Sequence, residues 1–138
     1  MKETTPKGKY LEAVGRRKTS TARVRLYEND GTKNSITVNG KEFKLYFPTA
    51  ELRHRVNQVL ENPEVKNKFI ISVLTNGGGI HSQADAVRLG VARAIILGET
   101  ELRKPLKKEG FLKRDPRAKE RRKFGLKKAR KSPRWSKR

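Results

Sequence analysis

The last 36 residues, Arg103 to Arg138, hold 18 Lys and Arg against Glu109, Asp115 and Glu120, a net +15 of the chain's +21. A stretch this basic repels itself as a compact body, and it shows no apolar period that a core could use. It reads as an arm that wraps a polyanion, disordered in the free protein and ordered on binding. Any fold must therefore come from the first hundred residues, which suffice for one modest core. The expected layout is a loose lead-in over 1–8, a globular domain over 9–104 and an extended basic tail over 105–138.

A sequence pI near 10.8 points to nucleic acid first. An anionic membrane surface is the next candidate, but the arm lacks the apolar face an interfacial helix needs. No apolar run approaches the roughly 20 residues that span a bilayer, and Met1-Lys2-Glu3-Thr4-Thr5-Pro6 has no signal-peptide apolar region. The absence of cysteine excludes disulfides, thiolate metal sites and thiol catalysis, and suits a reducing compartment. The two histidines, His54 and His81, lie far apart with no metal-ligand spacing, so neither a metal nor a cofactor is expected. Glu61 and Glu64 flank Asn62-Pro63 as helix-end acids rather than as an acid/base pair. No nucleophile–base constellation appears, so neither an enzyme nor a small-molecule substrate is expected.

Tyr10 to Val14 is a short strand that stops at Gly15. Ser20 to Tyr27 alternates cleanly, with Ala22, Val24 and Leu26 on a core face and Arg23 and Arg25 on a cationic one. Asn29-Asp30-Gly31 and Asn39-Gly40 signal turns around a third strand at Ile36 and Val38. Phe43, Leu45 and Phe47 alternate too briefly before Pro48 to assign. Thr49 to Leu60 has helical spacing at Leu52, Val56, Val59 and Leu60, and Asn62-Pro63 stops it. Lys68 to Thr75 is a nearly continuous apolar run that suits a strand covered on both faces. A helix follows to about Leu97, with Ser82 as its expected N-cap and Asp85 completing a capping box. Gly90 in mid-helix implies close packing. A helical turn over Glu101 to Lys104 ends at Pro105. Segregated strands and helices of this order suggest an α+β two-layer sandwich.

Gly15-Arg16-Arg17-Lys18 is expected in a tight connection, where three adjacent cations can straddle phosphates; a solvated hairpin tip is the alternative. Asn76 to Gln83 joins a strand to a helix N-terminus. Gly77, Gly78 and Gly79 allow close backbone approach there, with His81 and Gln83 beside them. The nucleotide P-loop version fails, because no Gly-Lys-Ser/Thr follows. RNA phosphate is favoured, with a flexible capped loop as the alternative. Arg88 and Arg93 lie about 140° apart on the helix, so one is expected to bind and the other to lie over the sheet. Within the arm, Lys113, Arg114, Arg117, Arg121, Arg122 and Lys123 are candidate phosphate contacts, as are Lys127, Lys128, Arg130 and Lys131. Phe111, Phe124 and Trp135 interleave with them and can stack on unpaired bases.

Three stretches together resemble one family. They are Ala13-Val14-Gly15-Arg16-Arg17-Lys18-Thr19-Ser20-Thr21-Ala22-Arg23-Val24, the run from Gly77-Gly78-Gly79-Ile80-His81-Ser82-Gln83 to Ile95, and Asp115-Pro116-Arg117 through Arg130, closing on Ser136-Lys137-Arg138. With Val38-Asn39-Gly40 and Tyr46-Phe47-Pro48 they resemble the bacterial type of the universal small-ribosomal-subunit protein nine. Arg134-Trp135 departs from the Gln-Phe frequent in that family, keeping an aromatic and adding a charge. The resemblance implies a four-stranded mixed sheet backed by helices, like the second domain of ribosomal protein S-five, with a left-handed crossover. It implies binding to the head (3′ major) domain of small-subunit rRNA through the cations and loop residues named above. Other small-subunit head proteins are implied as neighbours, in a cytoplasmic or organellar ribosome. Carried over by motif, Ser136, Lys137 and Arg138 would contact the anticodon stem-loop of the P-site tRNA. A free-standing nucleic-acid chaperone or DNA-compaction protein shares the charge but needs no such tip, and an RNA-processing enzyme lacks an acid/base set.

Overall fold

In the sequence Arg17-Lys18-Thr19-Ser20 the chain reverses within two residues. Arg17 pairs with Ser20, Lys18 takes a left-handed φ of +51°, and β1 (Leu11–Arg17) and β2 (Ser20–Glu28) form a tight hairpin. This comes from a computed structural model that describes residues 8–29 and 33–137. Residues 1–7 of the expected lead-in, the Asp30-Gly31 part of the expected turn and Arg138 lie outside the described residues.

β2 pairs antiparallel with β5 (Phe69–Asn76), which runs parallel to β3 (Ser35–Val38), and β4 (Lys41–Glu42) closes the far edge. The order is β1-β2-β5-β3-β4, a mixed sheet. The class is α+β as expected, with five strands rather than four. Asn39 and Gly40 have φ of +49° and +71°, the two left-handed residues of a type I′ hairpin, and the fifth strand hangs on that turn. Lys41-Glu42 carries no apolar alternation, so the sequence marks the turn and hides the strand.

Helices cover one face only. α3 (Ile80–Gly98) lies on β1 and β2, and α2 (Ala50–Asn57) packs against α3. Ala22, Val24, Leu26, Ile71 and Val73 point into this layer and meet Leu52, Val56, Val87, Val91 and Ile95. β5 therefore alternates: Phe69, Ile71 and Val73 are buried, while Leu74 on the opposite face is 44% exposed. The expectation of a strand covered on both faces is corrected, because among the described residues no helix lies on the outer side. The unassigned Phe43 stretch is one helical turn, α1 (Phe43–Tyr46), which delivers Phe47 to full burial.

The helix beyond β5 starts earlier than expected. Gly79 is its N-cap, and Ser82 sits inside the first turn, accepting from the Gly79 amide at 3.1 Å. Asp85 completes no capping box; it is drawn into ion pairs instead. Pro105 does not end helical structure either. A 3-10 turn (Thr100–Leu102) leads into α4 (Arg103–Lys108), where Pro105 falls in the first turn and forfeits no hydrogen bond. α4 ends in a Schellman motif: Gly110, at φ +81°, donates to Lys107 O and Phe111 donates to Leu106 O, each at 3.1 Å. Leu106 is fully buried, and Phe111 and Leu112 pack on the core.

The closest approach between layers is backbone on backbone. A Cβ added at Gly15 would lie 1.9 Å from the Ala86 carbonyl oxygen and 2.5 Å from the Gly90 nitrogen. One added at Gly90 would lie 2.6 Å from Val24 Cγ2. Gly15→Ala is therefore expected to destabilise the protein by at least about 2 kcal/mol. Gly79→Ala, which meets open space, should stay within about 0.5 kcal/mol. Urea unfolding of both variants checks this; equal midpoints would mean the layers have slack where they meet.

Candidate nucleic-acid interface

Three connections gather at one end of the sheet: the β1–β2 turn, the β3–β4 turn and the β5–α3 loop. Ser20, 1% exposed, holds two of them together. Its hydroxyl donates to Gly77 O at 3.0 Å and lies 2.6 Å from Ser82 Oγ. Gly77 and Gly78 have φ of +74° and +63°, and an added Cβ at Gly78 would sit 2.1 Å from Ser20 Oγ. These glycines are required by the fold itself, whatever approaches them from outside. Gly79 alone faces open space.

Gln83 is also employed within the fold. Its Oε1 accepts from the Tyr46 hydroxyl at 2.8 Å and its Nε2 donates to Gly77 O at 3.1 Å. Asn39 brackets Thr75, donating to its carbonyl at 3.0 Å and accepting from its amide at 2.8 Å. The motifs around Asn39, Tyr46 and Gly77 thus brace one another. His81 stands exposed beside them on the first turn of α3.

The three cations of the hairpin separate by side. Gly15 and Arg17 share the core-facing side of β1, and Arg16 takes the outer side. Arg16 and Lys18 are exposed and make no ion pair among the described residues. Arg17 turns inward. It meets Asp85 at 3.5 Å and Asp115 at 3.0 Å, and donates to the Arg117 carbonyl at 2.6 Å. Asp85 also takes Arg55 of α2 at 3.3 Å, and Arg55 reaches Glu51 at 2.6 Å. Asp115 accepts from both the guanidinium and the backbone N–H of Arg117, and these bonds, then Arg17, hold its carboxyl well below the usual carboxylate range. The glycine and three cations expected as one phosphate-straddling connection are thus a strand end. Gly15 serves helix packing, Arg17 clasps the root of the arm, and Arg16 and Lys18 face solvent.

On the outer face of the sheet, Arg23 and Arg25 share Glu12, at 3.6 and 2.8 Å. That hydrogen bond raises the Arg25 pKa, and Arg25 also lies 5.0 Å over the Tyr10 ring. Arg93 donates to Val14 O at 2.7 Å but remains exposed. Arg88 is the enclosed one of the helix pair: its Nη1 donates to Gln58 at 3.3 Å and its head lies over Phe111. Phe111 is therefore a core anchor of the arm's root rather than a base-stacking side chain. Its signal was Glu109-Gly110-Phe111, a glycine and an apolar residue at the two positions a Schellman end demands. In the arm, Ser136 is exposed, and Lys113, Arg114, Arg121, Lys127, Lys128, Lys131 and Lys137 are exposed without ion pairs among the described residues; Arg122 donates to Leu126 O at 3.4 Å, while Arg117, Lys123 and Arg130 each pair with an acid. Among the described residues no group of three His, Asp or Glu could hold a metal, and no helix is long and apolar enough to cross a membrane.

The arrangement is a small domain whose few acids fix particular cations in place and leave the rest outward, at a three-loop end and along an arm clasped beside it. Comparison with known proteins agrees. The sequence profile described as ribosomal protein S9/S16 matches residues 15–138. A curated relative, the small ribosomal subunit protein uS9 of Gloeothece citriformis (strain PCC 7424), is 52% identical over 126 residues, covering 91% of this chain and 90% of the relative. The chain belongs to the ribosomal protein S9/S16 family.

Proposed function

We propose that this chain binds the head domain of small-subunit rRNA through its three-loop end and arm, and that the arm's tip contacts the anticodon stem-loop of the P-site tRNA. The coarser role follows from the family: a structural constituent of the small ribosomal subunit, RNA-binding and not an enzyme, with rRNA and other ribosomal proteins as partners. One observation carries the finer reading. The Arg17 clasp fixes the arm's origin beside Arg16 and Lys18, so the domain's cationic end and the arm form one continuous track for a phosphate backbone. The rRNA set is Arg16, Lys18, Gly79 and His81 at the three-loop end, extended by Arg23 and Arg25 beside Glu12 on the outer face of the sheet, by Arg93 on α3 and by the arm's outward cations. Ser136, Lys137 and Arg138 form the tRNA set, carried over by the Ser-Lys-Arg motif of the family the chain resembles.

Arg16→Ala with Lys18→Ala should weaken rRNA binding and lower its salt slope by about 0.7–0.9 for each phosphate no longer neutralised, with stability unchanged within about 0.5 kcal/mol. Arg17→Ala should act differently: it should raise backbone mobility over 113–118 and lower stability, since it removes the cation that joins Asp85 to Asp115 and leaves each only its other arginine, Arg55 and Arg117. Filter binding at two salt concentrations, thermal melts and amide relaxation on the same proteins check both. Identical behaviour of the two variants would dissolve the distinction between clasp and phosphate ligand.

Deleting residues 136–138 should leave subunit assembly nearly intact and speed dissociation of P-site tRNA, more at low salt than at high salt. Dissociation rates on truncated and intact subunits at two salt concentrations check this; matching rates at both would assign the tip to rRNA alone.

A further inference from the structure

Between its clasped root and its tip the arm doubles back on itself. Glu120 accepts from Arg130 Nε at 2.9 Å and from Lys123 Nζ at 3.3 Å. The Lys127 amide donates to Lys131 O at 2.7 Å and the Leu126 amide to Lys123 O at 3.3 Å. Gly125, at φ +76°, supplies the left-handed residue of the turn. These bonds close a loop over residues 120–131 with Phe124 near its apex. Phe124 is 106% exposed, more than any other large apolar side chain described, and has no ring or cation stacked on it among the described residues.

A single exposed apolar residue is ordinary on a protein surface. Leu45 and Leu97 are such cases. Phe124 differs in its setting: Arg122, Lys123, Lys127 and Lys128 flank it in sequence. The one acid beyond Asp115, Glu120, is used to close the loop rather than to shield the ring. Exposed ion pairs hold little individually. Here two of them act with backbone bonds at the same turn.

We propose that the 120–131 loop is a base-reading element, in which the Phe124 ring stacks on an unpaired base of folded RNA while Arg122, Lys127 and Lys128 take the phosphates on either side. Aromatic faces bind bases without sequence preference, and the surrounding charges place the ring against the strand. This rests on the rRNA-binding reading above and adds a contact that is neither electrostatic nor located at the tip. An arm held by charge alone has the opposite requirements: Phe124 would be dispensable, and Glu120 would be a repulsive defect.

The full chain should be titrated by filter binding with protein-free small-subunit rRNA, and with a fully paired RNA duplex, at two salt concentrations. Phe124→Ala should weaken rRNA binding about ten-fold with an unchanged salt slope, and should not affect the duplex. Phe124→Tyr should restore wild-type affinity. Glu120→Gln removes a negative charge, yet by opening the loop it should weaken rRNA binding several-fold. Wild-type affinity for Phe124→Ala, or tighter rRNA binding by Glu120→Gln, overturns the proposal while the rRNA reading stands. Failure of the wild-type chain to bind rRNA overturns that reading, and this one with it.

Discussion

The contact of Gly15 with the backbone of Ala86 and Gly90 sets the spacing between sheet and helix, and much else is fixed by it. Two glycines remove the side chains that ordinarily separate a strand from a helix. α3 can therefore lie directly on β1, although a mid-helix glycine costs about 1 kcal/mol of propensity. The gain is positional. Arg17 follows Gly15 on the same side of the strand and is brought within reach of Asp85, one residue before Ala86. A wider spacing would leave that guanidinium short of the helix, and the link from α3 through Arg17 to Asp115 of the arm would be broken.

The acids of this chain are few, and their placement decides which cations are free. Glu12 occupies Arg23 and Arg25, Asp85 and Asp115 occupy Arg17, and Glu120 occupies Lys123 and Arg130. Asp115 has its carboxyl held down, so its contribution to the clasp is complete above the ordinary carboxylate pKa. It is lost only as pH falls through the lowered value. Mild acid should leave the Asp115 pairs closed; high salt, which screens them where they are partly exposed, loosens them more.

Much of this is legible in the sequence. Ala22, Val24 and Leu26 alternate and are buried; Leu52 and Val56 have helical spacing and are buried on α2, but the helix expected to run to Leu60 ends at Asn57, and Val59 and Leu60 are buried from the turn beyond it. Gly90 announces close packing and delivers it. Periodicity cannot report contacts between distant segments. Nothing local to Arg17 distinguishes it from Arg16 except parity along a strand, and the parity stays hidden as long as Gly15 reads as the strand's end. Asp85 has the spacing of a capping box, but a pair of arginines from β1 and α2 outweighs a cap that Ser82 already serves from within the helix. Phe69 to Leu74 looks two-sided because Ile70 and Leu74 are apolar, yet burial depends on which elements lie opposite, and no helix is there. The glycines of the β5–α3 loop illustrate the same limit: sequence shows that the backbone must come close to something, and that something is the start of β2, the Thr19 carbonyl for Gly77 and Ser20 for Gly78.

The closed loop in the arm also sets a length. From Lys113 to Lys137 a fully extended chain would span at most about 85 Å at 3.3–3.6 Å per residue. Joining Glu120 to Arg130 withdraws some ten residues from that contour and brings the upper bound down to about 50 Å. A tether's local concentration at its target depends steeply on how well its length matches the gap. Glu120 therefore acts as a ratchet stop on reach: closed, it keeps the tip near the domain, and open, it would release slack that dilutes the tip over a larger volume.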